Sequence, residues 1–121
     1  MDDVWYVDDD VSVSRLAQIL LSKNYDTVRT FSDGAAALKA LQDGKRTKLI
    51  ITDTQMHGLP GPDLIAAARK IDPALHFILV SAEPFLLIDN ARKLKVAYAS
   101  KPFTADFLKL AFSLVPPTKN S

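Results

Sequence analysis

Five apolar, strand-like runs alternate with five helix-like patterns along this chain, and that alternation leaves very few folds open to it. Val4 to Val7 is the first run, made only of apolar and aromatic residues. After it, Leu16, Ala17 and Leu20 keep a helical spacing, with Ser12 expected as the N-cap. Thr27 to Phe31 is rich in β-branched residues and reads as the second strand. Ala37, Leu38 and Leu41 form a helical stripe that stops near Gly44. Leu49 to Thr52 is the third strand and ends on Asp53. Pro62 suits the first turn of a third helix, which buries Leu64, Ile65, Ala68 and Ile71. Phe77 to Val80 is strand four, ending at Ser81, and Leu87, Ile88, Ala91 and Leu94 outline helix four. Val96 to Ala99 is strand five, before Lys101 and Pro102. Phe107, Leu110, Ala111 and Leu114 make the last helix, stopped by Pro116 and Pro117.

Strands that are apolar without interruption are buried on both faces. Strands separated by helices pair in parallel. The expected fold is therefore α/β, a doubly wound five-stranded parallel sheet with five helices. The 121 residues suffice for one domain with a real core, taken as residues 1–115, with 116–121 as a tail or the start of a linker.

In a parallel sheet every strand ends at the same edge, and open α/β sheets bind their ligands outside that edge. Strand one ends on Asp8 and Asp9, strand three on Asp53, strand four on Ser81 and strand five near Lys101. Singly, each is an ordinary turn, cap or surface residue. Together they place carboxylates, a hydroxyl and an ammonium at one edge. Two carboxylate charges in contact repel by about 4 kcal/mol at an effective dielectric near 20, and a cation reverses that sign.

The absence of cysteine excludes thiolate metal sites and disulfides, and two histidines, His57 and His76, cannot build a histidine-rich site. Three carboxylates suit a hard divalent cation such as Mg2+, with water completing its shell. A metal, an ammonium and a hydroxyl beside a carboxylate make a site for a phosphoryl group. Asp53 would attack phosphorus there, while Lys101 and Ser81 hold the phosphoryl oxygens. Asp10 is expected to be a loop residue at the entry to helix one. The net charge of +1 gives no reason to expect nucleic-acid contact, no apolar run is long enough to span a bilayer, and the N-terminus lacks signal-peptide features. A cytoplasmic location is the expectation.

The segments VDDD, LIITDTQM, ILVSA and SKPF, in this order and separation, resemble the receiver domain of two-component response regulators, over about Val4 to Leu114. WYVDDD and VRTFSDGAAAL are closest in flavour to receivers of nitrogen-regulation activators (the NtrC type). The resemblance implies a flavodoxin-like strand order 2-1-3-4-5 and an Asp53 phosphoacceptor. It implies Mg2+ held by Asp9 with help from Asp8, by Asp53 and by the backbone carbonyl of Gln55. Ser81 and Tyr98 become the switch pair, and Lys101 the paired lysine with a cis bond to Pro102. Ala82 leaves the acceptor accessible, while Gln55 and Glu83 tune dephosphorylation. The partners implied are a sensor histidine kinase and a second copy through helix four, strand five and helix five. A C-terminal ATPase or DNA-binding output domain would lie outside this chain. The domain would catalyse no more than its own phosphorylation and dephosphorylation, controlling an output such as transcription without itself touching nucleic acid or membrane.

The chain also departs from that pattern. His57 stands where proline is usual, removing its stiffness from the loop after Asp53. The stretch from Ser81 to Lys101 is about two residues short and lacks a glycine-alanine pair before strand five, so helix four or its exit loop is expected to be shortened or irregular. Phe85 and Leu86 widen the apolar arc of helix four, through either deeper burial or a partner surface. Two other functions stay open. One is a receiver-like interaction module that is never phosphorylated. The other is a haloacid-dehalogenase-like phosphatase with Asp8 as nucleophile, suggested by Asp8-Asp9-Asp10-Val11-Ser12, although Asp106 is the one acidic residue after Asp89.

Overall fold

The computed structural model describes residues 1–101, 103 and 105–119. The elements run β1 (Asp2–Val7), α1 (Val11–Ser22), β2 (Val28–Phe31), α2 (Gly34–Gln42), β3 (Thr47–Asp53), α3 (Gly61–Ile71), β4 (His76–Ser81), α4 (Pro84–Leu94), β5 (Ala97–Ser100) and α5 (Ala105–Leu114). All strands are parallel, in the order β2-β1-β3-β4-β5. The register sets Val7 beside Thr52, Asp53 beside Val80 and Ser81 beside Ser100, so the carboxyl ends of the four strands β1, β3, β4 and β5 lie level.

The period-two alternation of a strand divides β1 between two cores. Trp5 and Val7 join Ile50, Leu79 and the buried faces of α2, α3 and α4. Val4 and Tyr6 join Ile51, Val80 and the faces of α1 and α5. Burying an aliphatic or aromatic side chain of this kind contributes about 1.5–3 kcal/mol. Among the described residues no helix is long and apolar enough to cross a membrane.

Local signals fix the helix ends. The N-cap of α1 is Asp10 and not Ser12: with extended backbone, the Asp10 carboxylate accepts from the N–H groups of Ser12 and Val13. Asp33 caps α2 through the N–H of Ala36, and Gly44, at φ +94°, ends it where expected. Helix α4 is regular over 11 residues. Only Lys95 and Val96 lie between its end and β5. Lys95 takes the left-handed conformation at φ +57° that glycine would adopt without strain, at a cost of roughly 1 kcal/mol. The Arg69 guanidinium compensates by donating to the carbonyls of Leu94 and Lys95 at this helix end. Phe85 is 93% exposed, and Leu86 and Ile88 are exposed too, so the extra apolar arc of α4 faces solvent and not a deeper core.

At the opposite edge of the sheet, buried Asp3 holds the chain ends together. Its carboxylate accepts from the N–H groups of Asp26 and Thr27, the Thr118 hydroxyl and Lys48 Nζ. The N–H groups of Thr118 and Lys119 donate to the Asn24 carbonyl. Burial alone raises the Asp3 carboxyl, but the Thr27, Thr118 and Lys48 donors outweigh it and hold the group below its usual value. A depressed carboxylate stabilises the fold above its unfolded value and loses that contribution as pH falls through its folded one. Asp3→Ala is expected to cost about 2 kcal/mol at neutral pH, roughly 8 °C in Tm, and to speed amide exchange at Asp26 and Thr27. An unchanged Tm would show that Asp3 contributes no net stability.

Candidate functional site

The level strand ends bring the polar residues together. Asp8 and Asp9 follow β1, Asp53 is the last residue of β3, Ser81 the last of β4, and Lys101 comes directly after β5. Lys101 Nζ lies 2.8 Å from Asp8 Oδ2 and 3.3 Å from Asp53 Oδ2. The Lys101 N–H donates to the Ser81 carbonyl at 3.0 Å, which ties the β4 and β5 ends together. Among the described residues, Asp8, Asp9 and Asp53 each offer a carboxylate oxygen, all within 4.8 Å of one another. Three hard oxygen donors at this spacing, with no nitrogen or sulfur in the group, fit Mg2+.

The carboxylates differ in setting. Asp8 is fully buried, and both its oxygens are engaged. Oδ1 accepts from the Asp10 N–H at 3.0 Å, and Oδ2 accepts from Lys101 and from the Tyr6 hydroxyl, each at 2.8 Å. Asp9 is exposed, and its Oδ2 meets the His57 N–H at 3.1 Å and the His57 ring Nδ1 at 3.2 Å. A proline at position 57 has no N–H to give, so His57 replaces the expected stiffness with a tie across the site.

Asp53 is buried but keeps 9% exposure. Burial pushes its carboxyl up, Lys101 pulls it down and Asp8 pushes it up again, and the net is a raised value. For Lys101, burial opposes the charge, but the Asp8 hydrogen bond and the Asp53 charge prevail and hold its pKa above the usual one. The lysine therefore stays cationic at neutral pH, and its contribution to stability is lost only as pH climbs through its folded value.

The remaining expected residues surround this core. Ser81 is buried, and its Oγ accepts from the Glu83 N–H at 3.0 Å. Glu83 is exposed immediately before α4, with exposed Ala82 between the two. Gln55 is exposed two residues beyond Asp53. Tyr98 on edge strand β5 is 47% exposed. Pro102, and with it the expected cis bond, lies outside the described residues.

Tyr6 and Gly61 also belong to the site, and neither is among the polar strand-end residues that the sequence singles out. A signal for Tyr6 was present, because residues i and i+2 of a strand share a face and Tyr6 is two before Asp8. Gly61 had none: a Cβ there would stand 2.1 Å from the Asp53 carbonyl oxygen, a contact made only by the packing of α3 against β3.

The family described as "Response regulator receiver domain" matches residues 4–112. The chain is 30% identical over 105 residues to the DNA-binding transcriptional regulator NtrC of Escherichia coli K12, covering 85% of this chain and 22% of that protein. It therefore spans about a fifth of the NtrC relatives it matches. It is 32% identical over 108 residues to the chemotaxis protein CheY of Pseudomonas aeruginosa, covering 85% of this chain and 86% of that one. Among solved structures, the signal receiver domain of an HD domain-containing protein from Pseudomonas fluorescens Pf-5 superposes with a TM-score of 0.80 at 27% identity, covering 93% of this chain and 91% of that one. With the sheet order, the family match and these relatives in agreement, the chain belongs to the response regulator receiver domain family.

Proposed function

We propose that this domain, in the cytoplasm, accepts a phosphoryl group on Asp53 from a sensor histidine kinase and uses it to switch the surface formed by α4, β5 and α5. The observation that carries this reading is the cluster of Asp8, Asp9, Asp53 and Lys101 at the level strand ends. Bound Mg2+, held by Asp9, Asp53 and the Gln55 carbonyl with Asp8 in support, would neutralise phosphoryl oxygens. An Asp53 carboxylate oxygen forms the bond to phosphorus, the bond to the donor's histidine nitrogen breaks, and an aspartyl phosphate results. Asp8 holds Lys101 within reach of that phosphoryl group, and Lys101 and the Ser81 hydroxyl then bind its oxygens.

Drawing Ser81 and Lys101 to the new charge pulls on the β4 and β5 ends, next to Glu83 and Tyr98. Ser81 and Tyr98 act as the switch, while Gln55 and Glu83 flank the acceptor and set how readily water reaches it. Exposed Phe85, Leu86 and Ile88 support an output surface on α4, with a second copy of the domain as one partner. The NtrC likeness supports transcription as the output, exerted through an ATPase or DNA-binding domain. The engagement of both Asp8 oxygens leaves Asp53 as the carboxylate suited to attack and weighs against the phosphatase reading.

With Mg2+ and acetyl phosphate, the protein is expected to gain the mass of one phosphoryl group, and Asp53→Asn to gain none. A gain that survives Asp53→Asn sinks the assignment. Mg2+ binding with no phosphorylation by any donor returns the domain to an interaction module. Millimolar Mg2+ alone is expected to raise Tm, because it binds the folded cluster and not the dispersed carboxylates of the unfolded chain. An indifferent Tm contradicts the metal assignment.

A further inference from the structure

We propose that Tyr6 is a positioning residue that competes with the divalent cation for the charge on Asp8, so that this receiver holds its metal-free site together with its own hydroxyl. The inference rests on the metal site in the function proposed above. Tyr6 is fully buried, and its hydroxyl lies 2.8 Å from Asp8 Oδ2. Its ring is fixed edge-on against Phe103, with centroids 5.8 Å apart at 85°, and Phe103 stacks on Phe107 of α5. The ring that carries the hydroxyl is thus held by Phe103, which Phe107 backs in turn.

A carboxylate offers about four lone-pair positions. In Asp8 three are taken, by Tyr6, Lys101 and the Asp10 N–H. A tyrosine hydroxyl carries one O–H donor, and here it faces the Asp8 carboxylate at 2.8 Å. The hydroxyl offsets the Asp8 charge, and a bound cation offsets the same charge. A hydrogen bond to a fully charged acceptor is stronger than one to an acceptor already neutralised. Each compensator therefore weakens the other, and the binding of one must oppose the binding of the second.

The decisive substitution is Tyr6→Phe, which keeps the ring and its Phe103 contact and removes only the donor. Mg2+ affinity is read by calorimetric titration with no phosphodonor present, and Tm is read with and without Mg2+. Tyr6→Phe is expected to bind Mg2+ about fivefold more tightly than the wild type. Its Tm should fall in chelator and recover most of the difference in Mg2+. Tyr25→Phe is the control, because Tyr25 is equally buried but donates to the Val115 carbonyl at 2.6 Å. It should lower Tm by the same amount in either condition. In an Asp8→Asn background, the effect of Tyr6→Phe on Mg2+ affinity should vanish.

Unchanged or weaker Mg2+ binding by Tyr6→Phe overturns the proposal, as does a Tm deficit independent of Mg2+. A wild type that binds Mg2+ but gains no phosphoryl group would remove the phosphoacceptor function and leave this linkage standing.

Discussion

Asp53→Asn is expected to abolish phosphoryl transfer while making the metal-free domain more stable. The first effect is a loss of nucleophile. In the proposed function the Asp53 carboxylate oxygen carries the charge that attacks phosphorus, and a neutral amide there is a poor nucleophile. The second effect follows from the raised carboxyl. Burial and Asp8 disfavour the charged form of Asp53 more than Lys101 favours it. The folded state then holds a proton that the unfolded chain has released, so stability falls as pH rises from the unfolded value through the folded one. Asn carries no such charge and removes that penalty. Lys101 keeps its shorter 2.8 Å contact with Asp8. In chelator, Tm should be higher for Asp53→Asn at neutral pH, with the gap closing in acid below the usual carboxylate range. Mg2+ should narrow or reverse the gap, because the wild type retains one more ligand. A variant less stable than the wild type in chelator at neutral pH would mean that the Lys101 contact outweighs burial.

Gly61→Ala is expected to be the most damaging single-methyl change in the domain. The new Cβ would stand 2.1 Å from the Asp53 carbonyl oxygen and 3.1 Å from the Asp53 carbonyl carbon. Both are backbone atoms at the end of a central strand, so no rotamer change relieves the overlap. Either α3 withdraws from β3, opening the core around Leu64 and Leu79, or the end of β3 moves and takes Asp53 with it. The cost should exceed about 3 kcal/mol, beyond the ordinary range for overpacking. Denaturant unfolding would measure it. A loss under about 1 kcal/mol would show that the two backbones separate easily. Gly44→Ala provides the contrast. At φ +94° with open space around it, strain alone should cost roughly 1 kcal/mol.

The helix four region divides what could be read in the sequence from what could not. The expected irregularity is not in the helix itself, which is regular over 11 residues and joined to β5 by Lys95 and Val96. Whether Phe85 packs inward or outward was not legible, because a wide apolar arc is compatible with either. Asp10 was legible as the entrance to helix one but not as its cap. Aspartate and serine both suit that role, and only backbone geometry decides where the helix starts.

By itself, the sequence determined the alternation of strands and helices, hence a parallel sheet, and hence one edge at which Asp8, Asp9, Asp53, Ser81 and Lys101 must meet. Periodicity and topology carry that information because chain order alone dictates which strand ends share an edge. Contacts between residues distant in sequence belonged to the tertiary structure. These are the Tyr6 ring aimed by Phe103, His57 tied to Asp9, Gly61 pressed against Asp53, and Lys101 held closer to Asp8 than to Asp53. Each depends on ångström-scale separations set by packing, to which residue type and spacing along the chain are blind.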